Sequence, residues 1–330
     1  GKLSPDECSL ACSEPLPSAP VPLPSHAMHL VDKLAAENKG EYIRTDIDLN
    51  LQRRIEEILA RKNAELAAEG IRDLAAIVME VSEGKVIAYC GNAAPERKRP
   101  GVNVDVARAP RSSGSILKPF LYCDALGDGA LLPYSLIADT PVNINGFTPQ
   151  NYNMTYEGAV PAAEALSRSL NVPCVHLLKS YGVEKFMENL KARGLTTLTR
   201  SASDYGLSLI LGGGECRLDE VTAAYAEMAR EYLSEKAGRD DKVALYYTFD
   251  ALKDVNRPDE IDWHMIRSVR KVAWKTGTSY GYRDAWAVGV TPTYAVGVWA
   301  GNASGAGAPG LLGARTAGPV MFEIFNLLPA

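Results

Sequence analysis

The chain has 330 residues, of which 46% are hydrophobic and 23% are charged, which is ordinary for a globular protein with a large buried core. Its formal net charge of −5 argues against a general nucleic-acid-binding protein, and its apolar runs fall short of the roughly 20 residues that span a bilayer. Six scattered cysteines are too few for a disulfide scaffold.

The first 40 residues are predicted to lie outside the main folded body. A short helical fragment precedes the proline-rich run PLPSAPVPLP at 15–24, a composition that favours an extended, semi-rigid linker. We therefore predict two parts. Residues 1–40 form the end of a preceding domain and a linker, and residues 41–330 form one folded domain.

The linker region also carries a pattern close to a zinc site, Cys8-x-x-x-Cys12 followed by His26-x-x-His29. Five prolines separate the two pairs, and a compact metal-clamped fold is hard to build through them. The run GAGAPG at 305–310 matches a dinucleotide-binding pattern, but it contains a proline and opens no helix directly. The sequence therefore predicts no metal and no cofactor.

The folded body begins with a mixture of strand and helix patterns. A short strand is predicted at 42–48, then a helix from Asp48 to Glu69 that Asp48 caps. LAAIVMEV at 74–81 and KVIAYCG at 85–91 predict two strands joined by a turn at 82–84.

Helical patterns then dominate from about Ile116 to Tyr232, and strands return in the last third of the chain. Those strands are predicted at 272–280, 284–291 and 294–301, and an apolar helix follows at 317–328. Strands near both ends with helices between them indicate one sheet, and the short connections favour antiparallel pairing. The predicted class is α+β, an antiparallel sheet flanked by helices with an inserted helical region.

The spacing Ser-x-x-Lys occurs three times, at Ser82, Ser115 and Ser268. Ser82 falls in the predicted turn, and Ser268 lies in a charged lead-in to a strand. Ser115 instead opens an apolar periodic run, so its hydroxyl is predicted at a helix N-terminus with the Lys118 amine one turn away. The alternative is that Ser115 only caps the helix and Lys118 is a solvated charge.

Two further short motifs carry polar groups suited to a cleft. Ser169-Leu170-Asn171 lies between two helical patterns, where Asn171 could present its amide to a ligand or simply cap the next helix. The strand segment KTGT at 275–278 places two threonines on one face, and Gly277 lets another extended chain approach closely.

In the order Ser-x-x-Lys, Ser-x-Asn, Lys-Thr-Gly, these motifs resemble the set shared by penicillin-binding proteins and active-site serine β-lactamases. From about Tyr42 to Leu328 the chain resembles the transpeptidase domain of bifunctional class A penicillin-binding proteins. The run KTGTSYGYRDAW is most similar to the penicillin-binding protein 1C type. The middle motif departs from the pattern, since leucine stands where many members have aspartate. The resemblance implies the penicillin-recognising serine transpeptidase, or β-lactamase-like, fold.

The resemblance also implies a D,D-transpeptidase that cross-links peptidoglycan stem peptides ending in D-Ala-D-Ala through a serine acyl-enzyme, with β-lactams as covalent inhibitors. The implied catalytic residues are Ser115, Lys118, Ser169, Asn171 and Lys275, and the implied substrate-binding residues are Thr276, Gly277 and Thr278. Ser115 would be the nucleophile and Lys118 its base, with a pKa lowered by burial and by the charge of Lys275. Backbone N–H groups of Ser115 and Thr278 would form the oxyanion hole.

Further roles stay open at this stage. Tyr152, Trp286 and the run LGGGE at 211–215 either line the substrate groove or pack in the ordinary way. The resemblance implies a glycosyltransferase domain and a membrane anchor elsewhere in the natural chain, and a location on the periplasmic side of the bacterial inner membrane. The alternatives are a serine β-lactamase or D,D-carboxypeptidase, or a non-enzymatic β-lactam-sensing or scaffold domain, on the same fold.

Overall fold

The computed structural model describes residues 3–14, 26–93, 101–255 and 270–329. The α-helices are α1 (Pro5–Ser13), α2 (Met28–Glu37), α3 (Leu49–Ala67), α4 (Lys118–Gly127), α5 (Ala162–Ser167), α6 (Asn171–Tyr181), α7 (Val183–Ala192), α8 (Ala202–Tyr205), α9 (Leu218–Leu233), α10 (Arg239–Lys253) and α11 (Ala317–Leu327), with a 3₁₀ helix over Gly206–Leu211. The strands are β1 (Asp73–Glu80), β2 (Lys85–Cys90), β3 (Arg111–Ser112), β4 (Leu136–Asp139), β5 (Gly158–Pro161), β6 (Glu215–Cys216), β7 (Ala273–Thr278), β8 (Asp284–Val290) and β9 (Tyr294–Gly301).

Strands from both ends of the chain form one five-stranded antiparallel sheet in the order β2-β1-β9-β8-β7. The first strand, β1, pairs with the last, β9, so that Asp73 lies opposite Gly301. At one edge β7 pairs with β8 alone, with Lys275 opposite Val288. The predicted α+β class, with an antiparallel sheet and an inserted helical region, is confirmed.

Both faces of this sheet are buried, because side chains alternate between two apolar layers. Trp286 and Trp299 face the inserted helical region and α9. Trp274 faces the opposite layer, which α3 and α11 cover, as do Leu74 and Ala76 from β1. The sheet is therefore the middle layer of the domain, and its edge strand β7 borders the helical region.

Two elements differ from the sequence prediction. Residues 42–48 form no strand, because the contact with β2 is limited to one ladder-like hydrogen bond, from Asp48 N–H to Ile87 O at 2.9 Å. Helix α10 was not predicted, because its first residues lie inside the polar run SEKAGRDDK at 234–242. The cap of α3 is as predicted, with the Asp48 carboxylate accepting from Asn50 N–H and Leu51 N–H.

The N-terminal segment has two contrasting parts. Helix α1 buries none of its residues, and its two cysteines are exposed. Ala27, in contrast, is buried, and its N–H donates to Glu56 of α3 at 2.8 Å. The proline-rich run at 15–24 lies outside the described residues.

Two searches of the described residues bear on function. No set of three or more histidine, cysteine or acidic side chains there has an arrangement that could hold a metal ion. No helix within the described ranges has the length and apolar character that a bilayer crossing requires.

Candidate active site

Ser115 lies in a turn that leads into α4, and Lys118 is the first residue of that helix. The hydroxyl was predicted at the helix N-terminus itself, so the helix begins later than expected. Two short-range bonds build the turn, from Ile116 N–H to Ser113 O at 3.1 Å and from Lys118 N–H to Ser115 O at 3.3 Å. Pro119 suits the first turn of α4, where a missing N–H costs nothing.

The Lys118 amine is buried and fully hydrogen-bonded. It is 1% exposed, and it donates to Ser169 O at 2.8 Å, Leu170 O at 3.2 Å and Asn171 Oδ1 at 2.7 Å. Three acceptors match the three N–H groups of an ammonium ion. A neutral amine has two N–H groups and a lone pair, so loss of a proton would leave this nitrogen one free acceptor position.

The second motif meets the third at the Ser169 hydroxyl. Lys275 Nζ donates to Ser169 Oγ at 2.8 Å and to Thr276 O at 2.8 Å. Lys118 Nζ lies 3.5 Å from the same Oγ. The structure therefore brings together one residue of each motif, and Ser169 meets Lys118 from 51 residues before it and Lys275 from 106 residues after it.

Both amines lose basicity on folding. Burial lowers the pKa of Lys118 to about 8. Burial and then the positive charge of Lys118 lower the pKa of Lys275 to about 7. The two amines adjoin the same Ser169 hydroxyl, so they release their protons as a coupled pair, and loss of the first proton leaves one neutral amine between them. At least one amine of the pair is therefore partly neutral near pH 7.

The loop that carries Ser169 ends helix α5 in a strained way. Leu170 N–H bonds to Ala165 O and Ser169 N–H bonds to Leu166 O, which is the Schellman pattern of helix termination. Ser169 takes the left-handed position of that motif, with φ of 57°, where glycine is the usual residue. Backbone strain of this kind concentrates at functional sites.

The turn that carries Ser115 packs directly on the free edge of β7. Ser279 N–H donates to Asp284 O in the ladder with β8, so by alternation the Thr278 N–H points away from β8, toward the turn. A Cβ on Gly114 would lie 2.6 Å from Thr278 N, and a Cβ on Gly277 would lie 2.8 Å from Ser113 O. Only glycines permit this approach, which brings the Thr278 N–H beside the turn that carries Ser115.

The two threonines of β7 lie on its partly exposed face, while Lys275 is buried. Thr278 Oγ1 accepts from Gly313 N–H at 3.1 Å. A Cβ on Gly313 would meet the Cβ of Thr276 at 3.1 Å, so the segment before α11 supports this face closely.

For Trp286 and the run LGGGE, the structure shows the packing alternative. The run LGGGE packs against the turn that carries Ser115, because Ser112 Oγ donates to Gly212 O at 2.7 Å and Ser113 N–H donates to Gly214 O at 3.0 Å. Trp286 is buried, and its Nε1 donates to Ser112 O at 2.8 Å. The glycine run indicates close backbone packing, but the sequence does not show which segment packs against it.

Tyr152 is 75% exposed, which does not fit the alternative that its side chain packs in the interior. Its neighbour Asn151 is buried and accepts hydrogen bonds from the first two N–H groups of α6, at 3.0 Å from Asn171 and 3.1 Å from Val172. Helix α6 thus receives from a distant loop the cap that Leu170 cannot provide.

The Ser82–Lys85 pair does not join this cluster. Ser82 lies in the turn between β1 and β2, and the Lys85 amine pairs with Glu83 and, at 3.5 Å, with Asp46. Ser268 lies outside the described residues.

Comparison with known proteins gives a consistent result. Residues 74–205 match the family described as the penicillin binding protein transpeptidase domain, a stretch that includes the first two motifs. The chain is 34% identical over 329 residues to penicillin-binding protein 1C of Escherichia coli, covering 96% of this chain and 42% of that relative.

Solved structures share the fold. The PonA1 protein of Mycobacterium tuberculosis in complex with penicillin V has a TM-score of 0.72 at 20% identity, covering 91% of this chain and 88% of that one. Penicillin-binding protein 1A of Haemophilus influenzae has a TM-score of 0.74 at 14% identity, covering 98% of this chain and 74% of that one. The present chain spans about two-fifths of the length of the curated relatives that it matches first.

Proposed function

This chain belongs to the penicillin-binding protein transpeptidase family, and we propose that it is a serine-type D,D-transpeptidase that cross-links peptidoglycan stem peptides. The observation that carries the proposal is the convergence of two buried amines, from Lys118 and Lys275, on the Ser169 hydroxyl beside the Ser115 turn. An uncharged amine next to a serine is what nucleophilic activation requires.

Acylation begins when Ser115 Oγ attacks the carbonyl carbon of the penultimate D-Ala. The hydroxyl proton passes to the neutral amine of Lys118, while the carbonyl electrons move to an oxyanion. The Thr278 N–H, which faces the turn, and the Ser115 N–H are the donors that stabilise this oxyanion. Loss of one such donor typically costs about 3–4 kcal/mol of transition-state stabilisation.

Collapse of the tetrahedral intermediate breaks the peptide C–N bond and leaves an ester on Ser115. The departing nitrogen of the terminal D-Ala takes a proton through the Ser169 hydroxyl, which both lysine amines adjoin. In the second half, the amine of a neighbouring stem peptide attacks the ester, and its proton passes through the lysine pair to the departing Ser115 oxygen, which restores the hydroxyl and a neutral amine.

The β7 edge is proposed to bind the donor peptide. Lys275 and the hydroxyls of Thr276 and Thr278 attract the terminal carboxylate, and the Asn171 amide bonds to the peptide backbone. A β-lactam fits the same positions, since Ser115 would open its ring amide and the ring nitrogen would remain tethered.

Because the chain covers only part of its relatives, the rest of the natural protein is also a matter of proposal. We propose that it carries a glycosyltransferase domain and a membrane anchor, and that the domain acts on the extracytoplasmic side of the membrane, where its substrate lies.

The test is covalent labelling with a fluorescent penicillin, followed by a cross-linking assay with a D-Ala-D-Ala donor peptide and an amine acceptor. Ser115→Ala should abolish labelling, whereas Ser82→Ala, which alters the Ser-x-x-Lys pair in the β1–β2 turn, should leave it unchanged. Labelling that survives Ser115→Ala would refute the assignment of the nucleophile. Release of hydrolysed donor with no cross-linked product would favour the carboxypeptidase alternative.

A further inference from the structure

A buried polar pair outside the three motifs connects to the catalytic amine. Asp139, at the end of β4, is 1% exposed, and so is Asn151. Asn151 Nδ2 donates to Asp139 Oδ1 at 2.6 Å and to Thr155 O at 3.0 Å. The second carboxylate oxygen, Asp139 Oδ2, accepts from Glu157 N–H at 3.0 Å. The carboxylate thereby fixes which way the Asn151 amide faces.

The other side of that amide holds the start of α6. With Nδ2 committed to Asp139, Asn151 Oδ1 is turned toward the N–H groups of Asn171 and Val172. The preceding peptide adds a second constraint, because Asn171 Nδ2 donates to Gln150 O at 2.8 Å. Asn171 is therefore held through both its backbone and its side chain.

These contacts determine which atom of Asn171 faces Lys118. Because Asn171 Nδ2 is bound by Gln150 O, Asn171 Oδ1 is the atom presented to the Lys118 amine, at 2.7 Å. If the Asn171 amide turned over, it would place an NH₂ group against an amine with no gain of an acceptor. A chain of hydrogen bonds thus runs from Asp139 through Asn151 and Asn171 to the group proposed as the base.

We propose that Asp139 and Asn151 are positioning residues for acylation. They hold the Asn171 amide, and through it they hold the Lys118 amine in the position from which it acts on Ser115. The expected effect on the acylation rate rests on the proposed function, whereas the expected effect on the Asn171–Lys118 contact does not depend on it. A misplacement of about 1 Å in a catalytic group can lower a rate by roughly 100-fold.

Two variants interrupt this series of hydrogen bonds, and a third restores it. Asp139→Asn sets an NH₂ group against a donor whichever way its amide turns, either the Asn151 NH₂ group or the Glu157 N–H, and Asn151→Leu removes the Asn151 amide. Both should lower the second-order rate constant for penicillin acylation, per folded molecule, by roughly 10- to 100-fold. The double variant Asp139→Asn/Asn151→Asp exchanges donor and acceptor, so that the new carboxylate accepts from α6 and the new amide donates to it. The Thr155 carbonyl loses its donor in this double variant, so we expect it to recover part of the rate lost in Asp139→Asn.

Asn92 offers a matched control, because it is buried and its Nδ2 donates to Asp73 at 2.9 Å, away from the three motifs. Asn92→Leu should lower the melting temperature and leave the acylation rate per folded molecule unchanged. A purely structural role of Asp139 and Asn151 would give the same pattern in Asp139→Asn and Asn151→Leu, and that result would overturn the proposal, as would a double variant as slow as Asp139→Asn.

A geometric readout separates this proposal from the function on which it rests. A crystal structure of Asp139→Asn should show Asn171 Oδ1 beyond hydrogen-bond distance of Lys118 Nζ, and the double variant should restore the contact. If the wild-type protein fails to acylate, the proposed function fails, and this geometry still decides the positioning proposal. An unchanged contact in Asp139→Asn would refute it.

Discussion

At the residue scale, Ser169 combines a strained backbone with a hydroxyl that lies in the proposed active site. It stands at the left-handed position that closes the Schellman motif after α5, where an L side chain costs roughly 1–2 kcal/mol relative to a relaxed conformation. Its hydroxyl nevertheless lies 2.8 Å from Lys275 Nζ. Glycine would fit the backbone better and would remove the hydroxyl, so stability and function should respond in opposite directions.

We therefore expect Ser169→Gly to be more stable than Ser169→Ala by roughly 1 kcal/mol, because both lack the hydroxyl and only alanine keeps the strained Cβ. Both variants should lose most of their acylation activity. Urea unfolding gives the stability difference, and the rate of fluorescent penicillin labelling gives the activity. Equal stability of the two variants would show that the backbone at this position is not strained.

At the scale of elements, the site depends on a turn and a strand that approach more closely than side chains allow. Gly114, with φ of 52°, lies against the Thr278 peptide, and Gly212 lies against Gly114 from the other side. The turn is therefore enclosed between the β7 edge and the LGGGE run. Movement of either would displace the Thr278 N–H relative to Ser115.

Gly114→Ala should accordingly reduce penicillin acylation by roughly 10-fold or more, because the new Cβ would meet Thr278 N at 2.6 Å and push the turn off β7. Gly129, just beyond the other end of α4, is a matched control, since its φ of 68° is also left-handed but nothing lies within 4 Å of an added Cβ. Gly129→Ala should cost only conformational strain, seen as a lower melting temperature with an unchanged labelling rate. Comparable labelling by both variants would contradict this account of the turn.

The sequence could predict these elements better than their contacts. Apolar runs separated by turn residues located the strands β1, β2, β7, β8 and β9, and the motif order indicated which polar residues would meet. The Asn151 cap was not predictable, because the residue that caps α6 lies 20 positions before it in a loop with no regular pattern. Helix α10 was missed for a related reason, since its buried face is defined by α4, α5 and β7 rather than by an uninterrupted apolar stripe.

At the scale of the whole molecule, the site places two amines in the core. Lys118 and Lys275 are each 1% exposed, and burial is the largest cause of the lowered pKa of both. An unfolded chain restores an ordinary lysine pKa of about 10.4. Folding therefore releases protons whenever the pH lies between the two values, and the global stability of the domain must depend on the chemistry of its site.

The sign of this dependence follows from proton linkage. Between about pH 7, the folded pKa of Lys275, and the unfolded pKa of about 10.4, the unfolded state binds more protons, so these lysines make stability rise with pH. Below that window both states are protonated and the slope from this pair disappears. Buried cysteines and tyrosines with raised pKa values, such as Cys123 and Tyr122, act in the opposite direction at higher pH, because only the unfolded state then releases their protons.

A comparison with Lys275→Met isolates the lysine contribution, because both proteins share the opposing groups. The free energy of unfolding of the wild type, relative to the variant, should rise from pH 7 to pH 9 by at most about 1.4 kcal/mol per pH unit for each proton. Urea unfolding at several pH values measures it. Wild-type penicillin acylation should rise over pH 7–8 as the pair loses its first proton. A difference in stability that stays constant with pH would mean that Lys275 keeps an ordinary pKa, and that result would contradict the lowering of its pKa by burial.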